Sequence, residues 1–317
     1  MKVTLRVKRY DPERDRSPRW QEYTVEVEDY ATVLDALIKV REEIDESLAL
    51  RCSCRSHICG SCAMRINQKG GLACKTKLAE VAGDGGTVVV EPAGNLPVVK
   101  DLVVDLVPFF DKVRAVDPYL QPAGPPPERE YIASNEDMEN VKGAMACILC
   151  GACVSDCTVL EVDPDFLGPA ALAKAWRFVA DPRDAADEER LGALSERNGI
   201  WDCTHCFMCV EVCPKDVKPM ERILDLRRRA MEAGFKNNNG SRHSDAFVET
   251  IRESGRLDET KVAIRSTSGL GELLSWSGVG LRSFLHGKVP LSHKPIPGAE
   301  HVRKIFDKLE TKAGEAQ

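Results

Sequence analysis

Two runs of four cysteines lie in the middle of the chain and share one spacing. They are Cys147, Cys150, Cys153 and Cys157, followed by Cys203, Cys206, Cys209 and Cys213. Both runs read C-x2-C-x2-C-x3-C, the spacing with which bacterial ferredoxins bind cubane iron–sulfur clusters, where the fourth cysteine of each run ligates the other cluster. A pair of zinc sites is the alternative. Zinc does not require a third and a fourth cysteine at these spacings in both copies, so the pattern favours iron and sulfide.

A third group of cysteines lies nearer the N-terminus. Its members are Cys52, Cys54, Cys59, Cys62 and Cys74. Three of them form C-x4-C-x2-C with a remote fourth, which is the spacing of plant-type [2Fe–2S] sites. The predicted ligands of a [2Fe–2S] cluster are therefore Cys54, Cys59, Cys62 and Cys74. The small residues Gly60 and Ser61 let the backbone approach a cluster and donate its N–H groups to sulfur.

Two further residues of this loop have the chemistry to take part. Cys52 fits no ligand position, and we interpret it as a free thiol near the cluster. His57 could donate to a sulfide or replace a ligand, as histidine does in Rieske centres. Because four cysteines are already in place, we interpret His57 as a residue outside the ligand set, beside the cluster or at the surface.

Composition and charge limit the class of protein. The chain has 317 residues, of which 30% are charged, and a formal net charge of −6, so the basic surface of a nucleic-acid-binding protein is not expected. The sequence contains no run of about 18 apolar residues, so no membrane-spanning helix is expected. The N-terminus lacks the apolar core of a signal peptide. We therefore expect a reducing compartment, where thirteen cysteines remain thiols rather than disulfides.

The elements before the first cysteines predict a β-grasp fold. Residues 1–8 alternate apolar and polar side chains, as do Tyr23, Val25 and Val27, which indicates two antiparallel strands. Thr32 has the position of a helix N-cap, and the segment after it has helical periodicity. Residues 87–91 predict a closing strand. Two strands, a helix and a cysteine loop follow one another as in plant-type ferredoxins.

The sequence predicts that the rest of the chain is helical. Apolar residues recur at helical spacing from Leu102 to Val113, which predicts a helix, and almost no strand pattern follows residue 135. The predicted fold class is α+β, with a β-grasp plant-type ferredoxin domain before an all-α domain that resembles bacterial ferredoxins. The predicted domains are a [2Fe–2S] domain, a helical domain with two cubane-type sites and a C-terminal extension, at residues 1–108, 109–240 and 241–317.

The C-terminal extension contains an apolar cluster whose role has two alternative interpretations. The cluster comprises Leu270, Leu273, Leu274, Val279, Leu281, Phe284 and Leu285. It is either a surface that docks on a membrane-bound partner or a terminal segment that packs on its own protein.

The order of the three cysteine groups resembles the iron–sulfur subunit of succinate dehydrogenase and fumarate reductase. Residues 53–64 (SCRSHICGSCAM) are similar to the first-cluster loop of that family, and residues 96–105 (LPVVKDLVVD) to its interdomain helix. Residues 147–150 (CILC) and 213–215 (CPK) are similar to its later cluster motifs. The resemblance covers roughly residues 1–235.

The resemblance implies electron transfer without substrate chemistry in this chain. Electrons would pass from a flavoprotein subunit, where FAD oxidises succinate, through three clusters to quinone near the third cluster. The chain would be a subunit of succinate dehydrogenase, a succinate:quinone oxidoreductase of the tricarboxylic acid cycle. It would lie peripherally on the cytoplasmic face of the cell membrane, held by the FAD subunit and by membrane anchor subunits. No catalytic residue is predicted.

The chain departs from the common family pattern at the third cluster. Members usually lack a cysteine at the position of Cys206 and hold [3Fe–4S] there. The prediction is a [4Fe–4S] cluster on Cys147, Cys150, Cys153 and Cys213, and a third cluster on Cys157, Cys203, Cys206 and Cys209. Four thiolates at the third site favour a second [4Fe–4S] cluster. The alternative is a [3Fe–4S] cluster with Cys206 merely beside it.

A second departure concerns quinone. In common members a proline and tryptophans follow the cysteine that matches Cys157, and a histidine follows the one that matches Cys203. This chain has residues 158–161 (TVLE) and Thr204 at these positions. The usual quinone pocket is therefore not expected, and we hypothesise a divergent branch whose membrane subunit is a cysteine-rich protein rather than a heme-bearing anchor.

Two other functions compete with this assignment. The nearer is the electron-transfer subunit of a heterodisulfide reductase-type or glycerol-3-phosphate dehydrogenase-type flavoenzyme, which shares paired ferredoxin runs but usually lacks the plant-type loop. The other is a structural zinc protein that docks partners, which bound iron and acid-labile sulfide would exclude. No nucleophile elbow, phosphate loop or HExxH motif supports a hydrolase.

Overall fold

The computed structural model describes residues 1–267, 277–288 and 294–315. The chain divides into two compact units, Met1–Arg229 and Ala230–Gln317. The domain boundaries that the sequence suggests, after residues 108 and 240, remain a prediction.

The N-terminal part of the first unit is a five-stranded sheet with one principal helix. The elements are β1 (Lys2–Arg9), β2 (Arg19–Glu26), α1 (Val33–Lys39) with a π-helical turn (Val40–Ile44), β3 (Ala63–Ile66), β4 (Lys69–Leu72), α2 (Leu78–Val81) and β5 (Thr87–Glu91). The strand order is β2-β1-β5-β3-β4. β1 pairs antiparallel with β2 and parallel with β5, so the two predicted N-terminal strands and the predicted closing strand are confirmed.

Helix α1 begins where the sequence predicts. The Thr32 hydroxyl accepts a hydrogen bond from the backbone N–H of Asp35, and the Asp35 carboxylate accepts one from the backbone N–H of Thr32. This reciprocal capping box satisfies two N–H groups that the first turn would leave without partners. The apolar face that follows, including Leu34 and Leu37, is buried against the sheet in a single core that also includes Cys62 and Cys74.

A buried ionic network joins the sheet to the segment that leaves it. The Asp101 carboxylate, almost fully buried, accepts hydrogen bonds from the Arg9 guanidinium at 2.9 Å and from the backbone N–H groups of Tyr10 and Ala49. Arg9 also pairs with Asp45 at 2.7 Å. These carboxylates outweigh the cost of burying Arg9 and raise the pKa of its guanidinium above its ordinary value. Asp101 thereby anchors the chain as it passes to the helical part.

The predicted helix from Leu102 to Val113 is wrong in its first half. Val103 and Val104 form the strand β7 (Val103–Val104), which pairs with the preceding strand β6 (Val98–Lys100). The helix α3 is shorter, Val107–Arg114. A helix that began at Leu102 would place Pro108 in its interior, where proline removes a backbone hydrogen bond. In the structure Pro108 lies in the first turn of α3, where that N–H has no partner anyway. The resemblance of residues 96–105 to an interdomain helix is corrected in the same way.

Helices then account for the remainder of the first unit. They are α4 (Asn135–Met145), α5 (Ala152–Ser155), α6 (Thr158–Val162), α7 (Gly168–Val179), α8 (Asp187–Leu194), a 3-10 turn (Ile200–Asp202), α9 (Met208–Glu211) and α10 (Pro219–Glu232). Nearly every residue of α7 is buried, so it forms the centre around which the cysteine runs fold. After β7, the described part of the chain contains no strand, as the sequence predicts.

The second unit is helical in all its described segments. Its helices are α11 (Asn239–Ser254), α12 (Glu259–Ser266), α13 (Ser277–Leu285) and α14 (Ala299–Glu315). Val279 and Leu285 on α13 expose 70% and 74% of their surface, whereas Leu270, Leu273 and Leu274 of the predicted apolar cluster lie outside the described residues. Among the residues described, no helix combines the length and the apolar character needed to cross a bilayer.

We predict that Asp101→Asn lowers the free energy of unfolding by about 3 kcal/mol, because it breaks a buried ion pair and leaves Arg9 partly uncompensated. The control is Asp111→Asn, which removes one partner of an exposed pair with Arg114 and should change stability by less than about 1 kcal/mol. Anaerobic urea denaturation followed by circular dichroism measures both. Equal effects of the two variants would contradict the anchoring role of Asp101.

Candidate iron–sulfur cluster sites

The first cysteine loop curls its backbone around its own sulfur atoms. The backbone N–H groups of Ser56, Ile58 and Cys59 point at the Cys54 sulfur with N···S distances of 3.3 to 3.4 Å. The N–H of Cys54 points in turn at the Cys59 sulfur at 3.4 Å. N–H donors directed at cysteine sulfur are the arrangement that stabilises negatively charged iron–sulfur clusters. The loop therefore fits a [2Fe–2S] group.

The four predicted ligands of this loop differ in their electrostatic surroundings. The Ser61 side chain and the backbone of Cys54 hydrogen-bond to the Cys59 sulfur and lower the pKa of that thiol to about 6. Burial, with the nearby Cys74 and Cys59 sulfurs, raises the pKa of Cys62 to about 12. The exposed side of the site thus favours thiolate, the form that binds iron, while the inner side is buried in the sheet core.

The two additional residues of this loop lie outside the predicted ligand set. A ring nitrogen of His57 lies 2.7 Å from the carbonyl oxygen of Cys74, to which it must donate, so His57 fastens the loop to the remote cysteine. Cys52 is half-buried and packs against the core of the sheet.

The first loop is in direct contact with the first of the two later cysteine runs. Gly60, at a φ of 75°, lies so close that a Cβ atom there would be 2.8 Å from the Cβ of Cys150. The ammonium of Lys75, next to Cys74, donates to the carbonyl oxygen of Pro214 at 3.3 Å. Two predicted cluster sites are therefore neighbours across the junction between the sheet and the helices.

Polar contacts fix the backbone between Cys153 and Cys157 against the sheet. The Asp156 carboxylate accepts from the backbone N–H of Gly70 at 2.7 Å. The Asn95 side-chain amide donates to the carbonyl oxygens of Val154 and Cys157 at 2.8 and 2.9 Å. Sequence reasoning missed both Asp156 and Asn95, because their role depends on partners about 60 to 86 residues away. Their only signal is the position of Asp156 beside a predicted ligand.

The second site brings one distant cysteine to the first run. Cys147, Cys150, Cys153 and Cys213 all line one pocket that is partly open to solvent. Burial is the main cause that raises the pKa of the Cys153 thiol well above its ordinary value. The neighbouring sulfurs, Cys213 among them, raise it further. Burial and crowding make the thiolate forms unfavourable unless positive iron compensates their charge, so this donor set fits a cubane cluster.

The third site combines Cys157 of the first run with the first three cysteines of the second run. Burial raises the pKa of Cys209 to about 12, and its next causes are the neighbouring sulfurs of Cys203, Cys157 and Cys206. Cys206 is the exposed member, and the Thr158 hydroxyl lies 3.6 Å from its sulfur. The structure thus brings together each of the two predicted crossed sets. Their assignment as ligands remains a prediction.

Among the described residues, no group of three or more His, Cys, Asp or Glu side chains is arranged to hold a single metal ion. Cys153 also lies near enough to Cys209 for their charges to interact. The second and third sets are therefore adjacent, as the first and second are.

Comparisons with protein families match the two halves of the first unit. Residues 4–111 match a family described as 2Fe-2S iron-sulfur cluster binding domain, and residues 143–217 match a 4Fe-4S dicluster domain. Together with the strand-rich and helical halves, these matches confirm the predicted α+β fold class with a plant-type domain before a helical domain.

Individual relatives cover most of the same region. The chain is 38% identical over 233 residues to a fumarate reductase iron-sulfur subunit of Haemophilus influenzae, which spans 70% of this chain and 90% of the relative. It is 38% identical over 226 residues to a succinate dehydrogenase iron-sulfur subunit of Paracoccus denitrificans, spanning 71% and 86%. A chain of the Mycobacterium smegmatis Sdh1 complex in the apo form matches in structure with a TM-score of 0.63, 28% identity and coverage of 74% and 97%.

We predict that Gly60→Ala reduces the spin count of the [2Fe–2S] centre and the thermal stability of the anaerobic protein. The added Cβ would overlap Cys150, and alanine at positive φ costs about 1–2 kcal/mol in addition. Gly85→Ala is the matched control, since Gly85 has a φ of 72° but open space around it. If both variants lose the same stability and neither loses spins, close contact between the two loops is not required.

Proposed function

The chain belongs to the family of iron–sulfur subunits of succinate dehydrogenase and fumarate reductase, and from this premise we propose how it carries electrons. Its role is that of an electron-transfer subunit in an oxidoreductase complex, as the sequence predicts. Identity above 35% over most of each relative favours this family over the heterodisulfide reductase-type and glycerol-3-phosphate dehydrogenase-type alternative.

The proposed ligands follow the three cysteine sets. A [2Fe–2S] cluster would be held by Cys54, Cys59, Cys62 and Cys74, a [4Fe–4S] cluster by Cys147, Cys150, Cys153 and Cys213, and the third cluster by Cys157, Cys203, Cys206 and Cys209. Such clusters accept and release single electrons when bound. The mutual proximity of the sulfurs within each set is the observation that carries this proposal.

The protein itself supplies the order of the sites and their surroundings. Gly60 packs against Cys150, and Cys153 interacts with Cys209, so the three sets follow one another as first, second and third. Adjacent sites shorten each transfer, while N–H donors and burial tune each potential. No residue of this chain needs to make or break a carbon bond.

We favour a second [4Fe–4S] cluster at the third site. Cys206 lies within charge interaction of both Cys157 and Cys209, which supports a role as fourth ligand over a position merely beside a three-iron cluster. The Thr158 hydroxyl near the Cys206 sulfur would stabilise a thiolate there.

The family assignment implies two kinds of partner, a flavoprotein subunit with FAD and membrane anchor subunits. The finer proposals are that quinone is reduced near the third site and that the anchor is cysteine-rich. Thr158, Glu161 and Thr204 are all exposed and polar, which disfavours the proline-, tryptophan- and histidine-lined pocket of common members. We propose a peripheral position on the cytoplasmic face of the membrane, with residues 241–317 as an extension available for docking.

Replacement of the extra cysteine tests the type of the third cluster. In the oxidised, anaerobically purified protein we expect no [3Fe–4S]⁺ EPR signal, whereas Cys206→Ala should give about one such spin per chain, because the iron bound there loses its thiolate. Cys52→Ala is the control and should leave all three centres intact. A signal of one spin per chain in the unsubstituted protein would refute the four-iron assignment.

Purification of the native complex tests the proposed anchor. We expect a flavoprotein with FAD, a cysteine-rich membrane subunit, and no heme b absorption in the reduced spectrum. A heme b anchor with quinone bound against Thr158 would contradict the divergent-branch hypothesis, while leaving the electron-transfer role of the chain unaffected.

A further inference from the structure

Helix α13 (Ser277–Leu285) contributes no buried residue to the second unit, within the part of that unit that the structure describes. The apolar residues Leu281, Phe284 and Leu285 expose 61%, 50% and 74% of their surface. A Cβ atom added at Gly278 or Gly280 would meet no other atom within 4 Å. The helix therefore presents large apolar side chains that its own surroundings do not cover.

The other helices described in this unit have a small core of their own. Helix α11 packs against both α12 and α14. Ala246 on α11, Val262 on α12 and Ala299 on α14 are almost fully buried. The Arg252 guanidinium on α11 also pairs with the Asp307 carboxylate on α14 at 2.7 Å. Because this core is formed by the other three helices, the apolar residues of α13 are available for a different contact.

The apolar residues of α13 form a stripe along one side of the helix. Leu281, Phe284 and Leu285 follow one another at i, i+3 and i+4, a spacing that places them on one face. Arg282 is exposed and lies at the edge of this face, while Val279 falls on the opposite face. An exposed apolar stripe bordered by a basic residue is typical of helices that lie in the plane of a membrane surface.

The sequence around α13 is basic, although the chain as a whole is acidic. Residues 273–299 contain Arg282, Lys288 and Lys294 but no Asp or Glu, whereas the whole chain has 50 acidic residues and a net charge of −6. Positive charges without neighbouring carboxylates are complementary to a surface of anionic lipid. The apolar stripe and the basic residues together match the two layers of such a surface, its acyl chains and its phosphate groups.

We propose that α13 is an interfacial helix that binds directly to the surface of an anionic phospholipid bilayer. Leu281, Phe284 and Leu285 enter the boundary between headgroups and acyl chains, and Arg282 contacts lipid phosphate. Such a helix lies on the membrane and does not cross it. This inference rests on the proposed docking role of residues 241–317 and is independent of the cluster ligands.

The test is flotation of the full-length chain, purified anaerobically, with vesicles of two compositions. Vesicles of equal parts phosphatidylglycerol and phosphatidylcholine should bind the chain at least about tenfold more tightly than vesicles of phosphatidylcholine alone, because each basic residue near an anionic surface contributes roughly fivefold in affinity. Binding to the anionic vesicles should fall by a similar factor in about 0.5 M NaCl, where the Debye length is roughly 4 Å.

A double substitution tests the apolar stripe. Leu281→Ser with Leu285→Ser should weaken binding to the anionic vesicles at least about tenfold, because two leucine side chains no longer enter the lipid. The matched control is Ile305→Ser with Leu309→Ser on α14, whose two residues have the same spacing and are each 59% exposed. Helix α14 carries four acidic and four basic residues, so the control should bind as the unsubstituted chain does.

A single substitution tests the basic residue. Arg282→Gln should weaken binding to the anionic vesicles about fivefold and leave binding to phosphatidylcholine vesicles unchanged. Arg303→Gln removes the same charge from an exposed position of α14 and should have little effect on either. Circular dichroism and iron content should be the same in all variants, since every substituted residue is exposed.

Three results would overturn the proposal. One is the absence of binding to anionic vesicles, and another is equal binding to the two compositions. The last is an equal loss of binding in the α13 and α14 variants.

The subunit composition of the native complex separates this proposal from the proposed docking role. A chain that does not bind vesicles, but whose α13 variant loses its membrane subunits on purification, would make α13 a surface for a protein partner and would refute lipid binding alone. Unchanged vesicle binding together with unchanged subunit composition in the α13 variant would refute both lipid binding and docking by this helix.

Discussion

The helical part of the first unit depends on one constraint: each of the two later cysteine runs contributes one cysteine to the set formed by the other run. Cys213 lies with the three cysteines of the first run, and Cys157 lies with the three of the second. Neither set can be completed by one run alone, so the helices that carry both runs must pack together before either site exists. The almost completely buried helix α7 provides the surface on which they do so. Metal binding and folding are coupled in such an arrangement, because ligands that are far apart in sequence come together only in the folded state.

The junction between the sheet and the helices extends this coupling to the first site. Gly60 packs on Cys150, while Asp156 and Gly70 close a buried hydrogen bond between α5 and β4. Asp101 ties the connecting segment to β1. These contacts are polar or sterically tight, so they specify one relative placement of the two halves within the first unit. An electron relay needs this rigidity, because each transfer depends on the distance between neighbouring centres.

The cysteine sets differ in how their surroundings affect the charge of the thiols. The thiols of the inner sets are buried, which by itself would keep them protonated, and only iron or another cation makes their thiolates favourable. The exposed Cys59 is the contrasting case, where hydrogen bonds lower the pKa of the thiol instead. At the third set, the Arg227 guanidinium donates a hydrogen bond to the carbonyl oxygen of Cys203. The protein thus surrounds chemically similar sulfurs with different environments, and such differences tune the reduction potential of a bound cluster.

The sequence by itself determined which cysteines are candidate iron ligands, because cysteine spacing is local and each motif has few chemical meanings. It also determined β1, β2 and β5, the capped start of α1 and the change from sheet to helices, since these follow from periodicity and from residues such as Thr32. The helix predicted from the sequence was wrong between Leu102 and Leu106, although the apolar residues there have helical spacing. Pro108 disfavours a helix that begins so early, and the strand β7 forms in its place. Only the tertiary structure decided which sets are neighbours and that Asp156 and Asn95 hold the loop of Cys153 and Cys157. It also decided that Arg227 is buried against the carbonyl oxygens of Ile200 and Cys203. These features depend on groups that approach one another only after folding, so no local pattern in the chain could reveal them.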